Sequence, residues 1–416
     1  MLAESIAGAG RRVPAASAVA MEEQSLETKY QQAHGLMLEG KLDSAIDILL
    51  EVVTRFPHAR RCIRTKCTPL AARARLALGY CYIEKGLFKE AIRHLQAAVK
   101  IDPENPEVHC ELGFAYQQSG RTERALQQFR QAANCRPLSP RALNSLAYYY
   151  IEQEMYDEAI QSCRNALELD PDYEPAYVEL AVAAERKGLH EQAVAALTKA
   201  ISLNPTNENH YLSLARHYRE RKLPREASTV LEQALERIPD SVAAREALIH
   251  LYHEQNMHEQ VLAHASALAK RCPTHVPARD MLVMTHFHRG EIDQALEAVR
   301  SLIQLEPLEA HHQFRLALLL HHKGEIAQAM QIYERVLELG DESMAQAARD
   351  AIEGLDRYQV EQIMLRASED YVFRTWLNRD PVATALNYGF RLSEQGLHAL
   401  ASMDLERNED PPQYYH

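Results

Sequence analysis

Histidine is the residue whose distribution first suggests chemistry. Eleven of the 20 histidines lie between His250 and His322, at positions 250, 253, 258, 264, 275, 286, 288, 311, 312, 321 and 322. Imidazole titrates near neutral pH and ligates zinc or nickel, so such a run could sense pH or hold a metal. The spacing completes no known site. His253-Glu254 is followed by His258, one residue too far for HExxH, whose two histidines must share one helix face. His258-Glu259 is followed by His264, also out of register. Cys62 and Cys67 form a CxxxxC pair inside a basic cluster of Arg60, Arg61, Arg64 and Lys66. That cluster reads as a solvated loop, a contact for an acidic partner, or a redox-responsive thiol pair. A metal there would need two more ligands. No GxGxxG, GxxxxGK[ST] or GxSxG occurs, and glycine, which phosphate-cradling loops require, numbers only 15. No catalytic constellation and no cofactor site is therefore expected.

Composition narrows the class. The 416 residues carry a net charge of −12, which argues against a nucleic-acid partner. No apolar run approaches the roughly 18 residues a membrane helix needs. Seven scattered cysteines fit a reduced compartment, and a cytoplasmic location is expected. Residues 1–25 read as a disordered leader without a secretory pattern, with Met21 as an alternative start to Met1.

The elements that must position any site announce themselves by a period. Pro103, Pro137, Pro171, Pro205, Pro239, Pro273 and Pro307 fall in register, 34 residues apart. Ala91, Ala125, Ala159, Ala193, Ala227, Ala295 and Ala329 keep step, with Val261 in the one gap. So do Leu78, Leu112, Leu146, Leu180, Leu214, Leu248, Leu282 and Leu316. An earlier unit with Gln32, Ala45 and Pro57 precedes a 12-residue insert near 58–71. Each unit reads as two helices. In the unit from Glu107 to Pro137, Leu112, Gly113 and Tyr116 recur at helical spacing before Gly120 stops the first helix. Ala125, Phe129 and Ala132 carry the second, which Pro137 cannot extend. Gly113 and Ala125 suit a close crossing of helix axes. Neither helix can bury its apolar stripe alone, so the units must stack.

The 34-residue spacing and these small, apolar and proline positions resemble the tetratricopeptide repeat (TPR) family, over about nine units within residues 26–341. Position 8 of its repeat matches Ala33, Gly79, Gly113, Ala147, Ala181, Ala215 and Ala317. The resemblance implies an all-α fold, a right-handed superhelical solenoid of antiparallel helix pairs at 26–343. Ile249 and Val283 break the small-residue rule at position 8, and Leu268 and Leu302 replace alanine further on. That bulk is expected to open the helix pairs and change the curvature over residues 242–309.

In this family the first helix of each pair lines a concave face. Position 9 of successive first helices reads His34, Tyr80, Phe114, Tyr148, Val182, Arg216, His250, Met284 and Leu318. Tyr80, Phe114 and Tyr148 form an aromatic ladder, with Cys110, Glu111, Asn144 and Ser145 beside it. Arg216 and Arg219 follow with positive charge, so a segment with apolar side chains and an acidic residue would suit the groove. Leu76/Tyr80, Cys110/Phe114 and Asn144/Tyr148 lack the Lys-Asn pair of a carboxylate clamp for chaperone C-termini. The asparagine ladder of TPR glycosyltransferases is absent too.

Residues 344–403 are expected as a capping helix and a C-terminal helical tail, and 404–416 as a disordered acidic end. Met344 to Leu355 reads as the cap and Tyr358 to Leu377 as a further helix; Asp380-Pro381 starts a third, Gly389 stops it, and Ser393 caps a fourth. The string from Asp370 to Ser393 resembles leader-type helical segments of bacterial peptide-modification systems. The functional expectation is a non-enzymatic adaptor that binds a protein or peptide in its groove, without nucleic acid or membrane insertion. The alternatives are a substrate-presenting or regulatory subunit of a modifying enzyme that uses the tail, and a sensor built on His253, His288, His321 and His322.

Overall fold

The computed structural model describes residues 15–55 and 68–403. The basic cluster Arg60, Arg61, Arg64 and Lys66, with Cys62 and Cys67, lies outside the described residues, as does 404–416. Among the described residues all 22 regular elements are helices. The chain divides into two compact units, Met1–His217 and Tyr218–His416.

The first unit holds α1 (Ala15–Leu38), α2 (Leu42–Thr54), α3 (Thr68–Glu84), α4 (Phe88–Ile101), α5 (Pro106–Gln118), α6 (Thr122–Asn134), α7 (Pro140–Glu152), α8 (Tyr156–Leu169), α9 (Glu174–Lys187) and α10 (His190–Leu203). Most of α11 (Glu208–Glu220) belongs to it. The leader expectation needs correcting, because α1 is helical from Ala15, eleven residues before the repeat pattern begins at Leu26. The alanine-rich run from Ala15 to Ala20 explains this, since alanine carries the strongest helix propensity. Helices pack in sequence as antiparallel pairs, and α3, α5, α7 and α9 also touch one another in succession.

Local chemistry fixes the pair boundaries. Asn105 accepts a hydrogen bond from the Glu107 N–H at 3.0 Å, with Pro106 at the first helical position. Ser139 caps α7 in the same way, followed by Pro140. A left-handed position stops these first helices: Gly120 at φ +74° lies two residues beyond the end of α5, and Gly188 at φ +81° directly follows α9. Glu154, Lys222 and Asn256 hold the equivalent place at φ 59°, 58° and 56°, without glycine's freedom.

Position 8 fixes how closely each pair crosses. A Cβ added at Gly79 would lie 2.4 Å from Leu95 Cδ2, and one at Gly113 would lie 3.0 Å from Phe129 Cδ1. Glycine here pairs with a large side chain sixteen residues on. Ala147 and Cys163, then Ala181 and Leu197, hold the same two positions, all buried.

The second unit holds α12 (Pro224–Arg237), α13 (Val242–Glu254), α14 (His258–Arg271), α15 (Val276–His288), α16 (Ile292–Leu305), α17 (Ala310–Lys323) and α18 (Ile326–Leu339). Then come α19 (Glu342–Glu369), α20 (Tyr371–Arg379), α21 (Pro381–Asn387) and α22 (Glu394–Ala401). Here Ile249 is buried at position 8, and sixteen residues on stands Ala265, also buried. At this crossing volume is exchanged, the bulk of Ile249 on the first helix being offset by Ala265 on the second, whereas Val283 is followed at the same spacing by Val299, also buried.

The tail departs from the sequence reading at one point. The cap and the helix expected from Tyr358 are one continuous helix, α19, and the break falls at Asp370, whose carboxylate caps α20 through the Phe373 N–H at 3.0 Å. Nothing between Leu355 and Tyr358 interrupts a helix. Asp356 is instead buried and used: it accepts from the Ser393 N–H at 2.8 Å, and from the Ser393 hydroxyl. Gln359 accepts from the Arg391 N–H at 2.7 Å. Asp380 starts α21, Gly389 follows it at φ +92°, and Ser393 caps α22, as the sequence implies. Ile363, Phe373, Leu377, Ala385 and Leu400 close a small core of their own.

Candidate functional site

Within the first unit, three successive first helices and part of a fourth surround a cavity of about 320 Å³. From α3 come Tyr80, Ile83 and Glu84; from α5, Cys110, Glu111 and Phe114; from α7, Asn144, Ser145 and Tyr148; from α9, Glu179. Phe129 of α6 also lines it. Position 9 faces away from the second helix of its own pair, so Tyr80 and Tyr148 remain 43% and 37% exposed while their neighbours at position 8 are buried. The 34-residue period and the stacking of first helices bring these rings to one place.

The predicted residues Tyr80, Cys110, Phe114, Asn144 and Tyr148 all line this cavity. Arg216, Arg219, His250 and Met284 do not. Arg216 instead holds Glu185 Oε2 at 3.4 Å. Arg219 and His250 are exposed and Met284 half-buried. The histidine candidates come together only in part. His253 and His288 have ring centroids 6.5 Å apart, and His321 and His322 are sequence neighbours, both exposed. Among the described residues no three His, Cys, Asp or Glu side chains are grouped to hold a metal.

The electrostatics of the cavity are acidic, a feature the residue-by-residue reading missed. Burial pushes Glu179 up to about 7, and the neighbouring Glu152 adds to the rise. Burial also raises Glu111; Arg141, at 3.3 Å, pulls the other way, while Glu107 and Glu84 add to the rise. The Tyr80 phenol is raised chiefly by Glu84, and that of Tyr148 by burial and then by Glu152 and Glu179. Asn144 Oδ1 is buried without a hydrogen-bond partner. Burial takes the Cys110 thiol to about 11, so it stays protonated and is a poor nucleophile. The arrangement can bind through ring faces and acceptor atoms. The signal in the sequence was position 6, where Glu111 and Glu179 recur two units apart.

Sequence profiles described as TPR repeat and tetratricopeptide repeat match residues 79–120, 110–174, 150–218, 186–251 and 281–343, more than half of the chain. The chain belongs to the tetratricopeptide repeat family. Solved TPR structures resemble it in part. A solved structure of Pseudomonas aeruginosa pilF is 21% identical over 50% of this chain and 95% of that one, with a TM-score of 0.41. A tetratricopeptide repeat protein from Parabacteroides merdae is 19% identical over 63% and 99%, with a TM-score of 0.43. MamA is 28% identical over 39% and 95%, with a TM-score of 0.34. No curated protein matches by sequence. TPR membership puts the chain among protein-interaction scaffolds, whose repeats are generally non-enzymatic. Among the described residues of this TPR chain, no helix is long and apolar enough to cross a membrane.

Proposed function

We propose that this chain is a non-enzymatic adaptor that captures a protein or peptide segment on the first-helix face of its repeats. The observation that carries the reading is the aromatic ladder around the cavity. Two tyrosines there are left substantially exposed on a helix face that the fold does not need for packing. Rigid rings with a polar tip supply contact area at small entropic cost, which is why they anchor interfaces. The test is a crosslinking pull-down from native cells with the wild type and the Tyr80→Ala/Tyr148→Ala double variant. The double variant is expected to lose partner capture with little change in thermal stability. Unchanged capture would reject the ladder as the site.

A second reading draws on the tail. Tyr371, Val372 and Trp376 of α20 are 72%, 57% and 58% exposed, and Val372 and Trp376, four residues apart, share one helix face. On this reading α20 recruits a modifying enzyme. Trp376→Ala would then abolish recruitment and leave groove capture untouched.

A further inference from the structure

The cavity around Tyr80, Phe114 and Tyr148 has a sharper preference than an apolar anchor site. Its polar lining consists of three carboxylates, one amide, one hydroxyl and two phenols, and no lysine, arginine or histidine lines it. Glu111 has a cation nearby, but Arg141 divides itself between Glu111 at 3.3 Å and Glu107 at 3.0 Å. The carboxylate of Glu179, on α9, makes no side-chain hydrogen bond or ion pair among the described residues. Asn144 Oδ1 is a buried acceptor with no donor. The ring faces of Tyr80, Phe114 and Tyr148 add the negative side of their quadrupoles.

Each class of occupant meets this lining differently. A purely apolar side chain would strip water from Glu179 and Asn144 and return nothing, and leaving buried acceptors unpaired is costly. An acidic side chain would add a fourth carboxylate to the three. A cationic side chain supplies N–H donors to the carboxylate and to the amide oxygen, while its methylene stem packs on Ile83 and Phe129.

We propose that this cavity takes an arginine or lysine side chain of a protein partner, flanked by apolar residues. The inference rests on the groove reading above and names its partner chemistry. It reverses the expectation of an acidic segment at this part of the groove.

A displayed library of random 12-residue peptides, panned on the full-length protein and counter-selected on the Tyr80→Ala/Tyr148→Ala variant, tests both levels separately. Enriched peptides are expected to share an arginine or lysine beside apolar residues. In fluorescence anisotropy, changing that residue to glutamine should weaken binding to wild type at least about tenfold. The same change should matter much less against Glu179→Gln, whose retained fold is checked by circular dichroism. Enriched peptides that carry Asp or Glu at the anchor overturn the inference, as does a basic-to-glutamine change without effect. The groove reading survives either result. No enrichment, or enrichment equal on the double variant, overturns the groove reading and the inference with it.

Discussion

Gly79→Ala is the sharpest test of the geometry that holds the site, because Gly79 sets the α3–α4 crossing and precedes Tyr80. On an isolated helix the change should stabilise by about 1 kcal/mol, since glycine is the poorer helix former. Here the new methyl would sit 2.4 Å from Leu95 Cδ2 and 2.5 Å from Leu95 Cγ. Leu95 is fully buried and cannot turn out to solvent. Overpacking of this kind costs about 1–3 kcal/mol, and contact with two Leu95 atoms puts it at the upper end. The net expectation is a loss of about 1–2 kcal/mol. Leu95→Ala alone should cost about 2–5 kcal/mol through its cavity. The double variant lets the methyl enter that space, which is the arrangement of Ile249 and Ala265 in miniature. It should therefore be more stable than the sum of the single effects by about 2 kcal/mol. Because repeat arrays need not unfold in two states, amide hydrogen exchange within α3 and α4 is the appropriate measurement. A neutral or stabilising Gly79→Ala, or strict additivity in the double variant, would refute the close-crossing argument.

Two further outcomes follow from groups held against their preferences. Glu154 occupies a left-handed backbone position at φ 59°, which costs an L-residue about 1–2 kcal/mol, so Glu154→Gly should stabilise the first unit by about 0.5–1 kcal/mol in urea titration. Glu179, raised to about 7 by burial and by Glu152, holds its proton more tightly folded than unfolded. Its contribution to stability is therefore complete below about 4.5 and is lost as pH rises to about 7. Facing it are Glu152 and Tyr148 of α7 and Cys163 of α8. Thermal melts of Glu179→Gln should show a smaller decline across that window than wild type.

Much of the fold is legible because single residues carry its punctuation. The proline register, the glycine at the end of α5 and the helix starts at Asp380 and Ser393 each act within a few residues, so reading the chain recovers them. The continuity of α19 was not legible, because Asp356 acts through Ser393, 37 residues away, and no local pattern announces that bond. The candidate site divides in the same way. The ladder of Tyr80, Phe114 and Tyr148 follows from position 9 alone. The acidity of the cavity does not, because Glu84 stands at a different repeat position from Glu111 and Glu179, which share position 6 two units apart, and only the stacking of α3, α5, α7 and α9 gathers them.

The exchange of volume across the helix crossing also says what may be inherited together. Gly79 with Leu95 and Ile249 with Ala265 are two solutions to one packing problem, and neither half fits the other's partner. A chimera joined at the prolines between units passes on whole solutions. A hybrid that joins the α13 half to the α4 half would set isoleucine against leucine and overfill the crossing. Its reciprocal would set glycine against alanine and leave a void. Recombination within this chain should therefore be tolerated at the turns that follow second helices and punished at the turns inside each pair, so that the heritable module is the helix pair.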